Sequence, residues 1–146
     1  MRISVFEDAS LRILMLLAAT PDRQLTSRSI AEAVGVPYNH VSKAVLKLAE
    51  LGLLDSSRGR GGGVRISVSG LTASVGGLLR SLDKDEFPAA CRSAQGDCPL
   101  NHQCTLQSAL DRAKEAFYRS LDQVVIAELP HPVQMRPVLL GLPGIR

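Results

Sequence analysis

The chain has 146 residues, is 45% hydrophobic and carries a net charge of +3. That is enough apolar content for one domain with a real core, extended by an oligomerisation element, and too much for a disordered protein. The longest unbroken apolar run, Ile13 to Ala19, falls far short of the roughly 18 residues a membrane span needs. Glu7 and Asp8 stand where a signal peptide would be positive, so the expected compartment is the cytoplasm, with no membrane association.

The charge is unevenly placed. Residues 1–65 hold nine Lys or Arg against six Asp or Glu, whereas residues 66–146 hold eight of each. The whole positive excess therefore lies in the first half, as a nucleic-acid face requires.

In chain order the pattern is three helices, a hairpin, a helix, a loop, a long helix and a tail. Ser4 and Glu7 form a capping-box pattern that starts the first helix, with Phe6, Ala9, Ile13, Leu16 and Leu17 on one face. Leu11, Leu14, Met15 and Ala18 make the other side apolar too, so another element, from this chain or a partner, is expected to cover it. A second helix runs from its N-cap Thr26 to about Val34, and a third from Pro37 to about Leu51. The spacing of Ile30, Ala31, Gly35, Val41 and Ala44 fits a helix-turn-helix, in which Ala31 allows close approach and Gly35 takes the turn's positive φ. An ordinary helical hairpin is the alternative.

Leu53 to Ser57 and Val64 to Val68 read as two strands joined by Arg58-Gly-Arg-Gly-Gly-Gly63. Placed after a helix-turn-helix, this is a wing. Its glycines let the backbone approach a phosphate, and Arg58 and Arg60 suit a minor groove. A solvated turn or a small RNA-binding box would share the same composition. The candidate DNA contacts are Arg28, Tyr38, Asn39, Ser42, Lys43 and Lys47 on the helices, with Arg58, Arg60 and Arg65 on the wing.

Leu71 to about Leu82 forms a further helix. Thr105 is the expected N-cap of a long one reaching Leu129, striped by Leu106, Leu110, Ala113, Phe117, Leu121 and Val124. A stripe of this length calls for a partner helix in a second copy, although packing on its own domain would also bury it. Beyond Pro130 the tail lacks periodicity and reads as extended or mobile.

Between those helices lie all three cysteines, Cys91, Cys98 and Cys104, within the fourteen residues CRSAQGDCPLNHQC. This segment has almost no apolar surface with which to hold three thiols together, so they read as a ligand set. Thiolates suit iron and zinc alike. A structural zinc site closes with four Cys or His ligands, for which His102 is available.

With its early helix bearing Asp8, its GVPYNHVSKAVLKL helix, its RGRGGG wing, its three-cysteine loop and its long following helix, the chain resembles the bacterial winged-helix iron-sulfur transcriptional regulators of the NsrR/IscR family. The likeness covers nearly all of residues 1–128. It implies a mainly α fold: a winged helix-turn-helix with a two-stranded wing plus a long C-terminal dimerisation helix. The implied division is 1–70 for DNA binding, 71–104 for a connecting helix and cluster-binding loop, 105–129 for dimerisation and 130–146 for the tail.

The resemblance further implies a homodimer on a double-stranded DNA operator, holding an iron-sulfur cluster through Cys91, Cys98 and Cys104, with 4Fe-4S favoured over 2Fe-2S. IscR-like members place a His three residues after the last cysteine, where this chain has Gln107. NsrR-like, nitric oxide-sensing members can use an acidic residue early in the first helix, where Asp8 stands. Asp8 is thus the favoured fourth ligand and His102 its rival, while an ordinary helix-start carboxylate would look the same. The implied function is a DNA-binding repressor controlled by its cluster and sensing nitric oxide; sensing of redox state or cluster supply, or a structural zinc site, is the alternative.

Two enzyme-like classes fit poorly. An electron carrier has no need of a basic winged module, and the chain lacks the C-x2-C repeats of ferredoxins. A thiol enzyme would need a base near its cysteine, yet His40 falls in the third helix and His131 in the tail.

Overall fold

The computed structural model describes residues 3–83, 98–99 and 104–144. Helix α1 (Val5–Ala18) opens on the expected capping box, in which the Ser4 hydroxyl accepts from the Glu7 N–H at 3.2 Å and the Glu7 carboxylate accepts from the Ser4 N–H at 2.6 Å. Much of its apolar girth is covered within the chain, although Leu11, Met15 and Ala18 stay only half-buried. Helices α2 (Ser27–Val34), α3 (Tyr38–Glu50) and α5 (Val75–Leu82), strand β2 (Gly63–Ile66) and a 3₁₀ turn (Ile126–Glu128) all pack around it. Ile13, Leu14, Leu16 and Leu17 are consequently buried without remainder. Ser10 joins them because its hydroxyl donates to the Phe6 carbonyl at 2.8 Å, which satisfies the polar atom inside the helix's own ladder.

Thr26 caps α2 by accepting from the Ser29 N–H at 3.1 Å. Gly35 ends it at φ +66°, the left-handed turn that leads through Pro37 into α3. From α3, Val41, Ala44 and Leu48 reach the shared core. The helix-turn-helix reading therefore holds.

The wing pairs β1 (Leu54–Ser57) with β2 antiparallel, Leu54 opposite Ile66 and Ser57 opposite Gly63. A bridge from Leu25 to Val64 ties the other edge of β2 to the helical body. The second strand stops two residues before the expected Val68. The Ser67 hydroxyl instead accepts from the Gly70 N–H at 2.9 Å and starts a short helix, α4 (Val68–Thr72). The single helix expected over residues 71–82 is thereby divided. Ala73 stays extended and Ser74 caps α5 by accepting from the Gly77 N–H at 3.0 Å.

Helix α6 (Thr105–Leu121) begins one residue after Cys104, which occupies the N-cap position in place of Thr105. It also ends eight residues before the expected Leu129. The β-branched run Val124–Ile126 turns back on the start of α5, where the Val75 N–H donates to the Val124 carbonyl and the Ile126 N–H to the Ala73 carbonyl, both at 2.9 Å. The tail is neither extended nor aperiodic throughout. Helix α7 (Pro132–Leu140) starts on a proline, whose fixed φ suits a first turn, and buries Met135, with Leu142 just beyond it, beside α2. Among the described residues no helix is long and apolar enough to cross a membrane.

Candidate nucleic-acid interface and thiol site

Helix α3 turns its apolar face inward, which leaves Tyr38, Asn39 and Lys43 exposed on the outside. Lys43 has no ion-pair partner among the described residues. Lys47 sits beside Glu50 at 3.5 Å, so part of its charge is answered within the helix. Ser42 is half-buried, and its hydroxyl has no hydrogen-bond partner among the described residues. At the head of the helix the Arg28 guanidinium lies 5.6 Å from the centroid of the Tyr38 ring, a cation–π contact that holds a positive group at the lip of the turn.

The wing adds its own charge. Arg58 and Arg60 are exposed in the connecting turn, and Gly59 and Gly61 take positive φ there, as a tight glycine turn requires. Arg65 faces Asp55 across the ladder at 3.5 Å and is the least available of the three. Of the expected DNA contacts, the structure brings Arg28 and Tyr38 together, leaves Asn39, Lys43, Arg58 and Arg60 exposed, and sets Lys47 and Arg65 beside carboxylates that partly neutralise them.

The thiol site is only partly described. Cys98 and Cys104 are unpaired thiols, each half-buried, and Cys104 stands at the head of α6. Cys91 and the rival ligand His102 lie outside the described residues. Among the described residues no group of three His, Cys, Asp or Glu gathers at metal-binding distance. The two thiols can serve as soft donors, chemistry that fits iron and does not by itself exclude zinc.

Asp8 sits in the first turn of α1, half-exposed, and its carboxylate meets the Arg12 guanidinium at 2.9 Å. Arg12 in turn points at the Val34 carbonyl, at 3.5 Å, on the last residue of α2. Sequence reading left Arg12 unremarked, although its place four residues after Asp8 is the ordinary spacing of a helix ion pair.

A second polar group went unforeseen. Arg80 on α5 is gripped by two carboxylates of α6, Glu115 at 2.9 Å and Asp122 at 2.6 Å, while the Tyr118 ring lies 5.4 Å beneath its guanidinium. The arginine holds both carboxyls below their usual range, and they raise its own affinity for a proton. Three residues on, Asp83 accepts a hydrogen bond from the Tyr118 hydroxyl at 2.9 Å and pairs with Lys114. Burial first, and the Asp83 hydrogen bond second, push the Tyr118 phenol well up. Separations of 31 to 42 residues gave no local signal for any of these contacts.

A family model described as "Rrf2: Iron-dependent Transcriptional regulator" matches residues 3–132. The chain is similar to the HTH-type transcriptional repressor NsrR of Streptomyces coelicolor, at 43% identity over 97% of this chain and 96% of that protein. It is likewise similar to the HTH-type transcriptional regulator NsrR of Geobacillus kaustophilus, at 33% identity over 88% of this chain and 89% of the relative. These relatives are regulators of transcription, not enzymes. Among solved structures, T. potens IscR superposes with a TM-score of 0.67 at 20% identity, covering 88% of this chain and 85% of that one. The oxidized form of Staphylococcus aureus CymR does so with 0.64 at 23% identity, covering 88% and 95%. At such identities the structures bear on the fold alone, and they agree with the mainly α winged-helix architecture.

Proposed function

This chain belongs to the Rrf2 family of iron-dependent transcriptional regulators, and on that footing we propose that it is a cytoplasmic homodimeric repressor whose hold on a double-stranded operator is set by an iron-sulfur cluster. The observation that carries the reading is the double engagement of Arg12. It holds Asp8, the favoured fourth ligand, and it also reaches the last carbonyl of α2 at the helix-turn-helix turn.

Cys91, Cys98 and Cys104 are the proposed thiolate ligands, with Asp8 as the oxygen donor and 4Fe-4S favoured over 2Fe-2S. When bound, such a cluster supplies an iron held weakly on one side and open to a small diatomic such as nitric oxide. The Asp8 carboxylate then has two claimants. Engaged as a ligand it would release Arg12; returned to Arg12 it rebuilds the ion pair within α1, whose guanidinium also reaches the Val34 carbonyl at the turn before α3. The two states present the recognition helix differently, and only that difference can alter affinity for DNA.

On the DNA side, Tyr38, Asn39, Ser42 and Lys43 enter a major groove while Arg58 and Arg60 follow the backbone or the minor groove. Arg28, Lys47 and Arg65 add phosphate contacts that carry no sequence information. The exposed Leu106 and Leu110 of α6 supply the seam to the second copy, which sets the two readers one helical turn, about 34 Å, apart.

Anaerobically purified protein tests the reading through its absorption spectrum and its operator affinity before and after nitric oxide. Brown protein that bleaches and loosens its grip is the expected result, with Cys98→Ala colourless and unresponsive. Equal affinity with iron present or stripped overturns cluster control. A colourless protein with stoichiometric zinc points to the Cys and His102 site. Bleaching by an oxidant but not by nitric oxide assigns the signal to redox state.

A further inference from the structure

Helices α5 and α6 form an antiparallel hairpin. Gly76 lies against Tyr118 and Asp122, Arg80 against Glu115 and Asp122, and Asp83 against Lys114 and Tyr118, so the partners run backwards along α6 as the chain advances along α5. The open end of this hairpin is where residues 84–104 leave and return, carrying all three cysteines. Asp83 is the first residue past the end of α5, and Cys104 is the N-cap of α6.

We propose that Asp83, Lys114 and Tyr118 are a lock at the open end of this hairpin that fixes the relative register of the two stems, making them positioning residues for the thiols between. The inference rests on the reading of that segment as a cluster site. Three observations carry it.

The first is shielding. The Lys114 and Asp83 side chains are 16% and 19% exposed, while every other ion pair among the described residues has both members at 32% or more. A sheltered pair gains little net stability over apolar packing, and its best-attested use is to specify register. The second is that α5 does not need the pair to adhere: Val75, Leu78, Leu79 and Leu82 already bury its inner face. Backbone hydrogen bonds from Val75 to Val124 and from Ile126 to Ala73 pin the start of this eight-residue helix, so it is the far end, toward Asp83, that aliphatic packing alone leaves free to shift or turn. The Tyr118 hydroxyl bond to the Asp83 carboxylate, with Lys114 beside it, opposes that movement at the end leading to the cysteines.

The third is placement. Lys114 lies ten residues after Cys104, so roughly 15 Å of α6 runs on past the lock to Cys104 without α5 beside it. Any error of register at Asp83 is therefore carried to the far stem undamped. Metal-ligand distances tolerate only about 0.2 Å, which makes an exact stem spacing worth a sheltered ion pair. Tyr118 serves both parts of the hairpin: its hydroxyl donates to Asp83 and its ring supports Arg80. With its phenol pushed upward it remains a donor throughout the neutral range.

The test contrasts the tip of the hairpin with its root. Tyr118→Phe removes only the hydroxyl, Asp83→Asn removes the charge, and Asp122→Asn weakens the root clamp on Arg80. Full-length protein is purified anaerobically, and iron loss to an excess ferrous chelator is timed. The tip variants should lose iron roughly three- to tenfold faster, the factor expected when a sheltered hydrogen bond is lost. Asp122→Asn should lose it at the wild-type rate even if it melts at a similarly lowered temperature. Tip variants at the wild-type rate, or a root variant as fast as the tip, overturn the proposal. The metal-free protein gives a separate readout, alkylation of Cys98 and Cys104 by iodoacetamide followed by mass spectrometry. Altered rates in Tyr118→Phe but not in Asp122→Asn support the lock; equal rates in both overturn it. Wild-type protein without iron would defeat the cluster reading, while the alkylation result would still decide the lock.

Discussion

The winged helix and the α5–α6 hairpin share one apolar core but differ in what is added to it. In the first, Ile13, Leu14, Leu16, Leu17, Ile30, Val41, Ala44 and Leu48 meet in one dry core supplied by α1, α2 and α3. In the second, Val75, Leu78, Leu79 and Leu82 join that core, and Arg80, Asp83, Lys114, Glu115, Tyr118 and Asp122 add directional contacts across the helices. Aliphatic packing carries most of the stability, whereas sheltered charged hydrogen bonds add little stability and help to specify register. The division suits a regulator. On the proposed reading, the DNA reader keeps its shape in both states while the hairpin holds the stems of the cysteine segment at one spacing.

The contrast continues along α6. Leu48 is fully buried, but Leu106 and Leu110 stand 65% and 43% exposed on a helix proposed to meet a second copy. Leu48→Ala should therefore cost about 2–5 kcal/mol by guanidinium unfolding, the range for leucines deleted from a closed core, and DNA binding should fall with the folded fraction. Leu110→Ala should barely change unfolding in dilute protein but should raise the concentration at which a dimer forms, as read by sedimentation. If Leu110→Ala costs as much as Leu48→Ala in dilute protein, α6 is covered within its own chain and the contrast fails.

A smaller effect is expected where the hairpin's helices come closest. A Cβ at Gly76 would fall on the Tyr118 carbonyl oxygen and the Asp122 carboxylate, and would meet the Asp122 nitrogen at 2.9 Å. The carboxylate can swing away; the backbone cannot. Gly76→Ala should cost about 1–3 kcal/mol, as overpacking does, and it should loosen the hairpin while leaving the winged helix folded. Hydrogen exchange separates the two regions: amides of α5 and α6 should lose protection first, and uniform loss would show that they unfold as one unit.

The same division governs what the sequence revealed. The winged helix was legible because its signals are local: a Ser4/Glu7 box, a Thr26 cap, a Gly35 turn and a glycine-rich wing each act within a few residues. The hairpin was illegible because Arg80 finds its partners 35 and 42 residues away, and no periodicity encodes such a meeting. The end of α6 was misplaced for a related reason. Val124 continues the apolar stripe of the helix, yet its carbonyl is taken by Val75. Helix α7 was missed because the tail beyond Pro130 shows no helical periodicity, although a first-turn proline favours a helix and the packing of Met135 and Leu142 carries the rest. At the candidate site the cysteine spacing and Asp8 were plain from the sequence, and Arg12 could have been found four residues later.

Acid should distinguish the regions by the smallest margin, because Glu115 and Asp122 lie at the surface, where solvent screens much of their attraction to Arg80. Both carboxyls are held below their usual range in the folded protein, chiefly by hydrogen bonds from Arg80. A carboxyl that binds its proton less tightly when folded stabilises the fold above the ordinary carboxylate range, and that contribution is lost as pH falls through the depressed value. Stability of the metal-free protein should thus be level from neutrality to about pH 5 and then decline through the ordinary range near about pH 4. Glu115→Gln and Asp122→Asn should each begin less stable at pH 7 and decline less steeply, so their curves converge on the wild type in acid. Parallel curves would mean that the acid-sensitive groups lie elsewhere, and the hairpin would lose its claim to be the electrostatically held part of the molecule.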